Sequence, residues 1–191
     1  MNIYNNKKNL FFKLKQNALK EWKQYTKHEF VIGLGNGTLK LSSFKDYLLQ
    51  DYIFLQKFIK ILSLSAYKAK NPEDRNRSID FIIGIRHELS LHANYCKKFN
   101  ISKKKLLETK EKRQNKNYTD YVLKTGVQKS NLELFIALSP CIIGYGEIGY
   151  NLSKLKNWKK SKYASWIKMY ASKEYQNISK ENILYLDKLF T

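Results

Sequence analysis

An all-α fold, a single-domain helical bundle over residues 1–191, is predicted by three observations. Apolar residues recur at helical spacing along almost the whole chain, and no segment alternates apolar and polar residues at the period of a strand. Only two prolines and eight glycines interrupt the 191 residues, so long helices are permitted. Hydrophobic residues make up 43% and aromatics 14%, a composition too apolar for disorder and sufficient to build a core at this length. The pattern predicts about seven or eight helices, with no internal repeat and no linker.

Leu10, Leu14, Ala18 and Trp22 mark an N-terminal helix, with Phe11 on a neighbouring row. His28 to Leu41, with its Gly33-Leu34-Gly35-Asn36-Gly37 cluster, reads as an irregular turn. A phosphate loop there would need a preceding strand and a Lys-Ser/Thr or a third spaced glycine, and it has neither. Ser42-Ser43 cap a long helix from Phe44 to Lys70, which Asn71-Pro72 ends. Glu73 to about Phe99 forms a third helix. Lys103 to Asn117 is a charged, partly helical connector. Tyr118 to Lys129 makes a shorter helix and Leu132 to Leu155 a longer one. Trp158 to Tyr175 and Ser179 to Phe190 complete the pattern.

Several function classes are disfavoured by composition. No run of about 18 apolar residues offers a transmembrane span. The N-terminal stretch Met1 to Lys13 has too short an apolar centre, Leu10-Phe11-Phe12, for a signal peptide. Cys96 and Cys141 form no evident metal or disulfide framework, which points to a reducing, cytoplasmic setting. The net charge of +20, from 36 basic and 16 acidic residues, raises the question of nucleic acid. Yet arginine, which matches phosphate and base edges bidentately, occurs only as Arg75, Arg77, Arg86 and Arg113. The lysines are spread along the chain, so a solvated basic surface explains them better than a nucleic-acid site.

Chemistry concentrates in two helices. In Ser139-Pro140-Cys141-Ile142-Ile143-Gly144-Tyr145, Cys141 and Tyr145 share one helix face, and Pro140 removes a backbone donor and biases the helix to kink or start there. Cys141 is either a nucleophile with a phenol one turn on or a small buried core cysteine. Gly144, Gly146 and Gly149 on the same helix each cost about 1 kcal/mol relative to alanine, which implies close packing or room for a ligand. In the long second helix Asp51, Phe54 and Phe58 lie on one stripe. Either Asp51 bonds to a neighbouring helix beside core phenylalanines, or the stripe walls a pocket where rings stack on a flat heteroaromatic ligand and Asp51 takes its amino group. Tyr118 and Tyr170, at helical spacing beside apolar residues, are further pocket candidates.

The ordered set Phe44, Tyr47, Leu49-Gln50-Asp51, then Ser139-Pro140-Cys141 with Tyr145, then Trp166 and Tyr170, resembles the TenA/thiaminase II family. His28-Glu29-Phe30-Val31 with the following glycines resembles that family's approach to its second helix, and Glu88 with His92 its third-helix acid and histidine. The match runs from about residue 19 to 190. This resemblance implies the haem-oxygenase-like helical fold, commonly assembled as homotetramers, and hydrolysis at the exocyclic methylene of an aminopyrimidine in thiamine salvage. The substrate would be aminomethylpyrimidine, giving hydroxymethylpyrimidine, or thiamine itself, with no metal or organic cofactor. By position the nucleophile falls on Cys141, the substrate-amine anchor on Asp51, and pocket tyrosines on Tyr118, Tyr145 and Tyr170. Phe54 stands where many members have a tyrosine, which removes one hydroxyl contact.

A thiol with a pKa of about 8.5 is only a few per cent ionised at neutral pH and needs a base or an ordered hydrogen-bond network. The charge of Asp51 opposes a thiolate, so its role is proton acceptance or substrate anchoring. The family's further helix, with its catalytic glutamate in an aromatic setting, would lie beyond residue 200, and the sequence ends at Thr191. Glu174, Glu181 and Asp187 belong to earlier elements. Three expectations follow from this difference: an enzyme of weak activity or with a recruited glutamate, a pyrimidine-binding or structural member of the same fold, or a shortened form of a longer product. Glu88 and His92, one helical turn apart, are either a buried structural pair or a reserve of acid–base groups near the pocket.

Overall fold

The computed structural model describes residues 3–191, without the side chain of residue 91. Met1 and Asn2, which open the N-terminal stretch weighed above as a leader, lie outside the described residues. The described residues contain eleven α-helices and no strand. They are α1 (Leu10–Asn17), α2 (Leu19–Thr26), α3 (Glu29–Asn36), α4 (Leu41–Lys68), α5 (Pro72–Lys97), α6 (Lys103–Glu108), α7 (Arg113–Gln128), α8 (Asn131–Ser139), α9 (Tyr145–Leu152), α10 (Ala164–Tyr170) and α11 (Lys173–Phe190). A π-helical turn, Pro140–Gly144, joins α8 to α9.

The count exceeds the expected seven or eight because two predicted segments divide and a segment read as a turn is helical. The N-terminal helix breaks at Ala18, the long apolar helix changes winding at Pro140, and the Trp158 to Tyr175 segment opens with a 3₁₀ turn before α10. One expectation fails outright: residues 29–36 are helical rather than an irregular link. The His28 ring accepts a hydrogen bond from the Phe30 amide and caps the start, and Gly37, at φ 79°, ends the helix in the left-handed region. Gly35 is tolerated inside it because a β-carbon there would meet Leu152 and Leu155 at 2.8 and 2.7 Å. Close packing outweighs glycine's poor helix propensity.

The chain divides into two compact units, one formed by residues 1–40 with 135–191 and the other by residues 41–134. The second is built on a long hairpin. Asn71 caps α5 through its side chain, with Pro72 in the first turn, where a missing N–H costs nothing. Ser65 and Ser78 exchange a 2.8 Å hydrogen bond near the hairpin turn, and Phe44 meets Phe99 at its open end, so α4 and α5 run antiparallel. On α4, Gln50 holds Lys110 and Lys112 through its side chain and Asn115 through its carbonyl. Lys57 grips Glu111 at 2.6 Å and also reaches Thr119. These contacts fix α7 along α4.

The apolar run Asn131–Leu152, which belongs to the first unit from Phe135 onward, is long enough to cross a membrane by length and composition, but 67% of its most apolar window is packed inside the protein. Core packing accounts for its hydrophobicity. Gln176 of α11 ties three elements together: it accepts from the Tyr4 hydroxyl and donates to the carbonyls of Gly146 and Tyr170. Lys15 of α1 is buried against Glu147 of α9 at 2.7 Å, and the second carboxylate oxygen accepts from the Trp22 indole at 3.1 Å. Removing one partner of a buried pair leaves an uncompensated charge, a loss of about 3–5 kcal/mol. Urea denaturation of Lys15→Met is expected to show a loss of about this size, with most of it recovered in Lys15→Met/Glu147→Leu.

Candidate active site

The sequence-predicted site residues fall into one cluster in each unit. Asp51, Phe54 and Tyr118 lie in residues 41–134, whereas Cys141, Tyr145 and Tyr170 lie in the other unit.

In the first cluster, Phe54 and Tyr118 stack with ring centroids 6.1 Å apart and planes 22° apart. Phe58 tilts against Phe54 at 5.4 Å. The stacking follows from the contacts of Gln50 and Lys57, which set the register of α7 on α4. Asp51, one turn before Phe54 and nearly buried, faces His92 of α5, with Oδ2 3.5 Å from Nδ1. The other ring nitrogen of His92 is 2.9 Å from the Leu48 carbonyl. A carbonyl only accepts, so Nε2 carries the proton and Nδ1 of the neutral ring is left as an acceptor facing the carboxyl. The ring of Tyr52 stacks on that of His92, with centroids 6.2 Å apart.

This arrangement shifts protons. Burial raises the Asp51 carboxyl to about 7. Burial and then the charge of Asp51 raise Glu88 to about 7, with His92 pulling the other way. Burial lowers His92, so it stays neutral near pH 7 and offers Asp51 no full positive charge. Glu88 and His92 are thus neighbours of Asp51, a placement their spacing on one helix face left open, and the Glu88 carboxyl feels the charges of both other groups.

In the second cluster, Cys141 occupies the π-helical turn. Its thiol donates to the Leu138 carbonyl at 3.0 Å and the residue is partly exposed. The other cysteine is placed differently: Cys96 is fully buried, and burial with the charge of Asp51 pushes its thiol to about 11. Tyr145, Trp166, Tyr170 and Tyr175 form a continuous aromatic wall. Tyr145 lies 5.0 Å from Tyr170, Trp166 4.4 Å from Tyr170, and Tyr175 meets Tyr170 edge-on at 4.7 Å. Tyr170 and Trp166 are buried, whereas Tyr145 and Tyr175 are half-buried. Gly149 permits the approach of α10, since a β-carbon there would stand 2.6 Å from the Tyr170 backbone.

Two residues of this cluster escaped sequence reasoning. The hydroxyls of Tyr25 and Tyr175 reach carbonyls of the π-helical turn from α2 and α11. No periodicity marks such contacts, because they join residues far apart in the chain. Among the described residues no group of three or more His, Cys, Asp or Glu side chains is arranged to hold a metal ion.

The model of the TENA/THI-4/PQQC family matches residues 15–190, and the chain belongs to that family, whose fold is the haem-oxygenase-like helical one. It is 36% identical over 178 residues to an aminopyrimidine aminohydrolase of Helicobacter pylori, spanning 92% of this chain and 82% of that protein. It is 30% identical over 169 residues to an aminopyrimidine aminohydrolase of Halalkalibacterium halodurans, spanning 87% and 75%. Among solved structures, a protein of a Silicibacter species described as a TenA family transcription regulator superposes with a TM-score of 0.89 at 34% identity, covering 94% of this chain and 79% of that one.

The raised Asp51 carboxyl has a consequence for stability. Its folded pKa, about 7, lies above the unfolded value of about 4, so the folded state binds the proton more tightly. Its contribution is therefore fully present below about pH 4 and lost as pH rises through about 7. Asp51→Asn removes that loss. Thermal melts are expected to show the variant several degrees more stable than the native protein at pH 8, with the difference vanishing towards pH 4.

Proposed function

We propose that this chain is an aminopyrimidine aminohydrolase of thiamine salvage, acting on aminomethylpyrimidine or on thiamine. The observation that carries this reading is the partly exposed Cys141 thiol on a π-helical turn whose carbonyl is met by Tyr175, the ring that abuts Tyr170, in a family whose relatives include aminopyrimidine aminohydrolases. An aminopyrimidine is apolar on its faces and polar at its edge, so stacked rings with a carboxyl suit it. Family resemblance supports Phe54, Tyr118, Tyr145 and Tyr170 as ring-binding positions and Asp51 as the anchor of the amino group.

The Cys141 sulfur adds to the electron-poor ring carbon and gives up its proton, and the leaving group is protonated as it departs. The bond from the exocyclic methylene to nitrogen breaks, releasing ammonia from aminomethylpyrimidine or the thiazole from thiamine. Water then adds to the methylene and the sulfur departs, giving hydroxymethylpyrimidine. A carboxyl near pH 7 suits both directions of transfer, because it holds and releases a proton at nearly equal cost. Family resemblance further supports residues 1–191 working as one catalytic domain, without metal or organic cofactor, in a cytoplasmic homotetramer.

A chromatographic assay of purified protein is expected to show hydroxymethylpyrimidine released from aminomethylpyrimidine. Cys141→Ala should abolish release, and Asp51→Asn should lower kcat/KM by about 10²–10⁴-fold. Undiminished turnover by Cys141→Ala sinks the mechanism. Binding of hydroxymethylpyrimidine by a native chain without turnover makes it a pyrimidine-binding member instead.

A further inference from the structure

We propose that Tyr25 and Tyr175 are positioning residues for Cys141, their hydroxyls holding the backbone of the π-helical turn that presents the thiol. The proposal rests on Cys141 being the reactive thiol, and it concerns how that thiol is held.

A π-helical turn is wider than an α-helical one, has poorer hydrogen-bond geometry, and persists only where its surroundings hold it. Here Pro140 contributes no N–H, so the local ladder is already one donor short. Side-chain hydroxyls from outside the helix meet the carbonyls of three successive residues. Tyr25 donates to the Pro140 carbonyl at 2.8 Å, across 115 residues of sequence. Tyr175 lies 3.4 Å from the Cys141 carbonyl and 3.3 Å from that of Ile142, sharing its proton between them. Ser179 stands at 3.5 Å from the Ile142 carbonyl and adds little.

Two independent features show that the Tyr25 contact is built. The first is Gly144, the last residue of the turn. A β-carbon there would lie 2.7 Å from Cε1 of Tyr25 and 3.2 Å from its hydroxyl, so the phenol reaches Pro140 only because position 144 has no side chain. The second is a relay of support behind Tyr25. Trp22 packs edge-on against it at 5.8 Å, the Trp22 indole donates to Glu147, and Glu147 is paired with the buried Lys15. Burial, with the charges of Cys141 and Glu147, drives the ionisation of Tyr25 far above the usual phenol range, so the hydroxyl remains a donor even when the thiolate forms.

On the other side, Tyr175 packs edge-on against Tyr170, so the group that holds the Cys141 carbonyl also abuts the aromatic wall. Position of the sulfur and position of the wall are thereby set by one residue.

The test deletes single oxygens. Tyr25→Phe and Tyr175→Phe are compared with the native protein and with Tyr67→Phe, whose ring is on the surface. Alkylation of Cys141 by iodoacetamide is followed by peptide mass spectrometry from pH 6 to 10, with buried Cys96 as the internal reference. Steady-state constants are measured on aminomethylpyrimidine. Both variants are expected to change the Cys141 alkylation rate at least about threefold and to lower kcat at least about tenfold with KM within about twofold, while Tyr67→Phe changes neither. Gly144→Ala, which displaces the Tyr25 ring but keeps its hydroxyl, should reproduce the Tyr25→Phe effect and decides the matter if that variant does not fold. Native-like alkylation rates in Tyr25→Phe, Tyr175→Phe and Gly144→Ala overturn the proposal. Alkylation does not need turnover, so a native chain inactive on aminomethylpyrimidine refutes the hydrolase reading while leaving this test intact.

Discussion

Pro140 places a residue without an N–H inside the most apolar helical run of the chain, and much of the surrounding structure answers to that. The helix cannot pass through position 140 as a regular α-helix without losing a bond, and it widens into a π-helical turn instead. The turn brings Cys141 to a partly exposed position, whereas Ile142 and Ile143 beside it are buried. Its carbonyls draw hydroxyls from α2 and α11, and the glycines that follow let those helices and α10 come close. Of the three glycines on this helix, each stands where a β-carbon would collide with a neighbour, so their cost in helix propensity is offset by approach distance rather than by vacant space.

The chain buries carboxyl groups in two ways, and the contrast separates structure from chemistry. Glu147 is paired with Lys15 at 2.7 Å and also accepts from Trp22, so its charge is compensated where it stands. Asp51 faces only a neutral imidazole at 3.5 Å, with Glu88 of the same sign nearby, and meets desolvation by holding its proton up to about pH 7. The first arrangement locks helices together. The second sacrifices stability at neutral pH to keep a proton exchangeable, the kind of cost concentrated at functional sites.

The basic character of the chain plays no part in either cluster. Its exposed ion pairs are mostly i, i+4 contacts such as Lys104–Glu108 and Lys129–Glu133, each worth only a few tenths of a kcal/mol. Two further pairs span longer distances in sequence: Lys112–Asp46 is exposed, whereas Lys57–Glu111 is half-buried, shares its ammonium with Thr119, and sets the register on which Phe54 meets Tyr118.

Helical periodicity and the Asn71-Pro72 boundary between α4 and α5 were readable in the chain, because each depends on residues within a turn or two of one another. The long α4–α5 hairpin was therefore anticipated almost to its ends. Residues 29–36 were misread because helix propensity penalises Gly33 and Gly35, and only the leucines packed against them show why the glycines are there. Pro140 foretold a break, but whether a kink, a new start or a wider turn followed depended on Tyr25 and Tyr175, 115 and about 34 residues away. The same holds for the protonation of Asp51, which no local pattern discloses. It depends on burial, and the facing His92 has its tautomer set by the carbonyl of Leu48. Local order in this protein is written at short range, while the state of its thiol and its carboxyl is decided by partners that only folding brings within reach.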